Sequence, residues 1–445
     1  MRKVIILGFI FNVLVSISIY GQEEEWGIVS QEFYNRYYDR TVNLDFQISD
    51  PAMIAVGGAF ISLANNPNAI LMNPAGLTQL SRIQASFITQ FNFDARQYSS
   101  PDQSGRKVTS SPDPHFAFPG AAVVLPLKLG SRQLTAGLAY HKIINPVSHY
   151  QETEFFYGGG RIDEIQDYTG GVHAIAGALG VEIIPQISVG VNYHYLFGTN
   201  RYHLKIQSPY ADKRVYFKFE DEEEMSGGFL RVGLLLKPIK WILLGATVTP
   251  AWTYSSKELE ERFQITDFIL DTGWVTEYYE TSEAFLSELK VEIPLVYHVG
   301  IAIHPFSTLT LAASYELNEW QKATLKLDGQ TISNSLETVD AFHCGLEYRT
   351  GNERIQVPLR VGYYTNALPQ RDQFFEGAYY GGQIERNFYT LGCGIYWGKY
   401  LVDFSYQQAQ SEIGWWMRAA DYYNQRMFQT SDTINQVLLS LSYRL

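Results

Sequence analysis

The side chains able to do chemistry are few, and their spacing argues against catalysis. His194, His298 and His343 each fall on the polar face of an alternating segment. No serine or paired carboxylate stands at a spacing that would complete a nucleophilic or acid–base site around them. We read them as polar residues facing a wet interior and expect no enzyme. Cys344 and Cys393 sit inside strand patterns, without CxxC spacing or companion ligands, so we expect no metal and no cofactor, only two small residues on an apolar face. The acidic run Glu220 to Glu224 could hold divalent cations that bridge lipopolysaccharide, but such runs are ordinarily solvated loops. Gly57-Gly58 lacks the Lys-Ser/Thr and the β–α unit of a phosphate loop.

The elements carrying these residues are strands. Ile187, Val189, Val191, Tyr193, Tyr195 and Phe197 share one face, while Ser188, Gly190, Asn192 and His194 share the other. Leu309 to Glu316 and Tyr400 to Gln407 repeat the split. A period of two puts each set on its own side of a sheet. Glu182, Arg231, Glu316, Glu347, Arg349, Arg360, Asp403 and Arg444 all lie on the face rich in Gly, Ser and Ala. In a soluble sandwich that face meets water; in a membrane barrel it lines the lumen and the large apolar face meets lipid.

The connections separate these alternatives. Six short ones, at 130–132, 184–186, 237–240, 304–307, 350–354 and 398–399, alternate with long ones near 96–115, 146–170, 201–225, 256–290, 322–338, 367–383 and 411–432. Short turns at one rim and long loops at the other mark an outer-membrane barrel. The count gives a strand near 82–95, twelve in six hairpins, and a last strand ending at Leu445. The sequence thus predicts an all-β protein, a 14-stranded antiparallel transmembrane barrel. Its last strand carries the apolar row Val437, Leu439, Leu441, Tyr443 and Leu445, similar to the terminal signal read by the outer-membrane assembly machinery.

Composition agrees. The chain of 445 residues carries a net charge of −12, which excludes a nucleic-acid surface, and its aromatics reach 15 %, with 31 Tyr suited to a membrane–water boundary. Met1-Arg2-Lys3 followed by apolar Val4 to Ile19 reads as a signal peptide, residues 1–21, shorter than the ~20 apolar residues of a spanning helix. We therefore expect a Gram-negative outer-membrane location among lipid and lipopolysaccharide.

One stretch breaks the alternation. Pro51 to Leu80 is rich in Gly, Ala and Asn and is interrupted at Gly57-Gly58, Asn65-Asn66-Pro67 and Asn73-Pro74-Ala75-Gly76. Its Val56-Gly57-Gly58-Ala59-Phe60 and Asn73-Pro74-Ala75-Gly76-Leu77 resemble the N-terminal signature of the FadL/TodX family of outer-membrane transporters for hydrophobic compounds. Asn66 to Asn68 stand where that family has acidic residues, and Leu71-Met72 where it has an aromatic. The resemblance implies a plug, or hatch, over residues 22–80 within a barrel over 81–445, with Gly57, Gly58, Asn73, Pro74, Ala75 and Gly76 as its gate.

The same resemblance implies passive transport of hydrophobic small molecules such as long-chain fatty acids or aromatic hydrocarbons, with capture between outer loops. The loops at 201–225 and 256–290 are the candidates, the second through Leu259, Phe263, Phe268, Trp274 and Phe285, and Ser256 to Phe263 reads as a short capped helix. Relatives of this fold also serve as shuttle or scaffold subunits of type IX secretion, whose components are the alternative partners.

Overall fold

The computed structural model describes residues 50–445 apart from 94, 100–106, 110–113, 131, 145–147, 156–160, 210–212, 270–274, 281–287, 333, 335, 370, 376–377 and 419–424. The expected signal peptide and the first part of the expected hatch lie outside the described residues.

Fourteen antiparallel strands close into a barrel. They are β1 (Gln84–Asn92), β2 (His115–Leu129), β3 (Arg132–Ile144), β4 (Arg161–Ile184), β5 (Ile187–Pro209), β6 (Lys213–Ile239) and β7 (Ile242–Thr249). The other half comprises β8 (Val296–Phe306), β9 (Leu309–Asn318), β10 (Val339–Gly351), β11 (Ile355–Thr365), β12 (Asn387–Trp397), β13 (Tyr400–Arg418) and β14 (Gln425–Arg444). Each pairs with the next, and β14 returns to β1 with Leu441 opposite Phe87, so the ring has no free edge.

Alternation sorts the side chains as the sequence predicts. Phe87, Leu179, Val191, Val361 and Leu441 point outward and are exposed, while Ser188, Asn192, Ser314 and Ser405 are buried in the interior. Outward aromatics gather near the short turns, at Trp241, Phe306, Tyr348, Trp397 and Tyr400. A second level includes Tyr389, Tyr193 and Tyr315. Tyr389 and Trp397 stand eight positions apart on β12; at about 3.3 Å per residue and a tilt near 40°, the apolar band between them is about 20 Å tall. The inward charges are neutralised by one another. Arg360 donates to Glu347 and Asp403, both at 2.7 Å, and to the Tyr396 hydroxyl at 2.6 Å, while Arg349 takes the other oxygen of Glu347 at 2.7 Å.

The turns fall where the sequence puts them, but several long connections are not loops. β4, β5 and β6 run for 24, 23 and 27 residues, against the roughly 9–11 that a membrane strand needs. Residues 201–209 and 213–225, expected as loop, are the outer ends of β5 and β6. The acidic run Glu220 to Glu224 lies there too, in strand rather than in a solvated loop. Burial works against the charge of Glu220, but Lys218 and His203 outweigh it and hold the carboxyl below its ordinary range.

The short helix expected at Ser256 to Phe263 is absent. Trp252–Ile269 is a strand, paired on one side with β6 and on the other with Glu288–Ile293 and Val275–Glu280. Ladder bonds along both edges outweigh a weak local capping signal.

Residues 50–80 lie inside the ring. Short helices α1 (Pro51–Ala55) and α2 (Ala69–Met72) and a 3-10 turn (Pro74–Gln79) are joined by irregular backbone, and nearly all of it is buried. Inward wall glycines make the room. A Cβ on Gly362 would meet the Gly57 nitrogen at 2.0 Å, one on Gly190 the Ala75 nitrogen at 2.4 Å, and one on Gly245 the Ile61 carbonyl oxygen at 2.3 Å. On β10, Gly345 stands in the same relation to the Val56 oxygen, at 2.3 Å. These contacts come from opposite arcs of the wall, so the inner segment is gripped all round.

Gly362→Ala should unseat this segment and raise its cleavage by protease in the purified barrel. Gly177→Ala, where a Cβ meets nothing within 4 Å, should leave the digestion pattern unchanged.

Candidate functional site: an inner segment beneath a lumenal chamber

The inner segment begins with a helix cap legible in the sequence. Asp50 precedes Pro51 at the first turn of α1, and its Oδ1 accepts from the Met53 nitrogen at 2.9 Å. The same carboxylate accepts from the side-chain amides of Asn66, at 3.2 Å, and Asn68, tying the start of the segment to its middle. Gly57 and Gly58 take φ of +62° and +72°, which reverse the chain beyond α1 in a region that glycine enters without steric cost.

Asn73 joins segment to wall. Its amide donates to the Ile61 carbonyl at 2.7 Å and to the Leu234 carbonyl of β6 at 3.1 Å, and its oxygen accepts from Ala75 at 3.1 Å. Pro74 and Gly76 are also buried, and a Cβ on Gly76 would collide with Ala64. Wall side chains serve further polar groups of the segment. The Thr78 hydroxyl donates to Ser188 at 2.8 Å, Asn192 and Arg231 donate to the carbonyls of Ile70 and Leu71, and His343 Nδ1 bonds the Gly57 carbonyl at 2.9 Å. Irregular backbone at this depth survives because donors from the barrel replace water.

A cavity of about 260 Å³ lies on the segment's far side from the short turns. On β5, Gly190 meets the segment and His194, four residues further from the turn, faces the cavity. Apolar side chains including Met53, Leu71, Phe229, Trp252, Trp320 and Phe388 make most of its lining. Polar groups stand in patches among them. His141 and His194 bond to each other at 3.2 Å, and His298 Nδ1 lies 3.2 Å from Glu316. His298, His343, Tyr364 and Phe388 form a row of stacked rings across four strands, with centroids 5.7, 5.4 and 4.4 Å apart.

The wall is interrupted beside this chamber. Thr249 pairs with Val296 and Trp252 with Ile293, leaving Pro250-Ala251 facing Pro294-Leu295 without ladder pairing between them. Proline has no N–H to donate, and here it occurs on two neighbouring strands at one level. Thr249, Trp252, Ile293 and Val296, which flank the interruption, all line the chamber.

Of the residues singled out from the sequence, Gly57, Gly58 and Asn73 to Gly76 lie together in the inner segment, and His194, His298 and His343 all face the chamber. Cys344 and Cys393 are free, the first half-buried and the second exposed. Leu259, Phe263 and Phe268 lie on the strand Trp252–Ile269, while Trp274 and Phe285 fall outside the described residues. Asp50, His141, Asn192 and Arg231 are missed as site residues. Their role follows from which strands become neighbours, although the Asp-Pro pair at 50–51 is itself a capping signal.

The closed ring, its outward apolar belt and its asymmetric rims define an outer-membrane β-barrel with a folded segment in its lumen. The chain belongs to the BamG family, whose model matches residues 71–363, well over half of its 445 residues. This places it in a family other than the FadL/TodX family that its N-terminal motif resembles; the likeness to those transporters is one of fold.

A FadL homologue of Pseudomonas aeruginosa shares 15 % identity at a TM-score of 0.58, over 90 % of this chain and 99 % of that one. The Pseudomonas putida toluene transporter TodX shares 15 % at 0.56, over 90 % and 99 %. The Ralstonia pickettii toluene transporter TbuX shares 14 % at 0.53, over 91 % and 99 %. No curated protein matches the sequence.

Asn73→Ala would leave the buried carbonyl of Ile61 without this donor, costing about 1–3 kcal/mol, and would remove one tie to the part-buried carbonyl of Leu234. The variant barrel should therefore unfold at a lower temperature than wild type, read by circular dichroism and by loss of heat-modifiable migration in gels.

Proposed function

We propose that this barrel is a channel for hydrophobic small molecules that works sideways. A ligand enters from the side of the tall strands, rests in the chamber above residues 50–80, and leaves through the wall at the proline seam between β7 and β8. The observation that carries this reading is the coincidence of chamber and seam, since the same four side chains border both.

In this reading the inner segment is a floor. Gly57, Asn73, Pro74, Ala75 and Gly76 sit in its tightest contacts, Gly58 adjoins them, and ligand passes above them. The chamber is close to the lower end of the ~300–1,000 Å³ usual for small-molecule pockets, a size for one aromatic ring or part of an acyl chain. Each buried CH₂ contributes about 0.8 kcal/mol to partition out of water. Aromatic hydrocarbons and fatty acids are the ligand classes; the fold neighbours described as toluene transporters support the first. Leu259, Phe263, Phe268, Trp274 and Phe285 serve first contact at the outer mouth.

A second reading rests on the inner segment's grip and on the family. A lumen closed by a segment held from all sides needs no cargo, and membership in the BamG family favours a scaffold role in outer-membrane assembly. Deletion of the gene would then lower the levels of other outer-membrane proteins and leave hydrocarbon uptake unchanged.

Replacing Pro250 and Pro294 together by Val supplies the missing donors and should close the seam. Uptake of labelled toluene or oleate by cells should fall about tenfold or more in a strain whose barrel still shows heat-modifiable migration. Uptake equal to wild type with the seam variant folded would remove the lateral route.

A further inference from the structure

We propose that His298, Glu316 and His343 form a binding site for a divalent transition metal, with zinc the best match to the donors, and that the bound ion fastens the inner segment to the wall. Three neighbouring strands bring them to one level. His298 on β8 stands directly opposite Glu316 on β9, and Ser314, two residues from Glu316, stands opposite His343 on β10. One ligand atom from each lies within 4.8 Å of the others, and both imidazoles are buried, at 5 % exposure. Two nitrogens and a carboxylate oxygen suit zinc, whose ligands at ~2.0–2.2 Å stand roughly 3.3 Å apart in a tetrahedron. Small rotations of the side chains would close the difference.

The hydrogen bonding around the group favours a ligand set. A carbonyl oxygen can only accept, so the contact between His343 and Gly57 at 2.9 Å fixes the proton on Nδ1 and leaves the lone pair of the neutral ring on Nε2. A metal-bound histidine commonly has its other N–H held by a backbone carbonyl in this way. Stacking between His298 and His343 accounts for flat, ordered rings, but it does not require Glu316 beside them. The remaining coordination position faces the chamber, where Glu316 and both histidines are part of the lining. Because the carbonyl held by His343 belongs to Gly57, tightening the ring on an ion also tightens its hold on the first reversal of the inner segment. Sequence spacing hides the site, since its three members are brought together only by pairing of β8, β9 and β10.

The test uses the full chain purified in detergent, stripped with chelator, incubated with zinc and dialysed, with metal measured by mass spectrometry. Wild type should retain one zinc per chain and unfold at a higher temperature with zinc than without. Glu316→Gln and His298→Gln should each weaken retention at least about tenfold. Their migration should remain heat-modifiable, which separates loss of the site from loss of the fold. Cobalt(II) in place of zinc should give the visible absorption of a low-symmetry N/O centre in wild type alone. Retention well below one equivalent in wild type, or retention that both folded variants share, would overturn the site. Stoichiometric binding without a change in unfolding temperature would overturn its role as a fastener.

Discussion

The structure depends on satisfying irregular backbone at membrane depth. Residues 50–80 carry turns, helix ends and left-handed glycines where bulk water is excluded, so every polar group needs a partner from the chain itself. The barrel supplies these in two ways. Inward glycines bring wall and segment backbone close, and Ser188, Asn192, Arg231 and His343 reach in to bond carbonyls and hydroxyls. The two devices are interdependent, because a side chain at Gly190 or Gly362 would push the segment away from those partners.

This constraint also explains where the polar residues of the wall stand. Near the short turns, Arg360, Glu347 and Asp403 neutralise one another. At the next level the wall turns mostly small residues to the segment, glycine, alanine and serine, with Asn192, Arg231 and His343 among them. Above it, the histidines and Glu316 face a cavity whose lining is mostly apolar but also includes Asp50, Arg231 and Arg386. Three zones thus follow one another along the same strands, each with its own side-chain chemistry, inside an outer surface that is mainly apolar.

Much of the barrel was legible in the sequence because a period of two survives wherever one face meets lipid and the other does not. Val189, Val191 and Tyr193 against Ser188, Gly190 and Asn192 suffice to orient β5, and the short turns mark strand pairs. The outer halves of β5 and β6 were missed as strands, although Leu204, Ile206, Phe217 and Phe219 keep the alternation there, because charged residues between them suggest solvated loop. Leu204 opposes Phe219, which opposes Phe263 on the next strand, and Ile206, Phe217 and Ile265 form a parallel row. The chamber was not legible. His298, Glu316 and His343 are 18 and 27 residues apart in sequence, and only the register between β8, β9 and β10 sets the level at which they meet.

Strand height has a consequence of its own. A barrel in the plane of the membrane is nearly featureless around its circumference, yet here β4 to β6 and β13 to β14 rise far above the arc from β8 to β12, whose strands are 10–13 residues long. The molecule therefore has a front and a back. A neighbour approaching along the outer surface meets tall paired strands from one direction and, from the other, shorter strands with the small hairpins Thr324–Leu327 to Gln330–Ile332 and Arg371–Phe375 to Ala378–Gln383 between them.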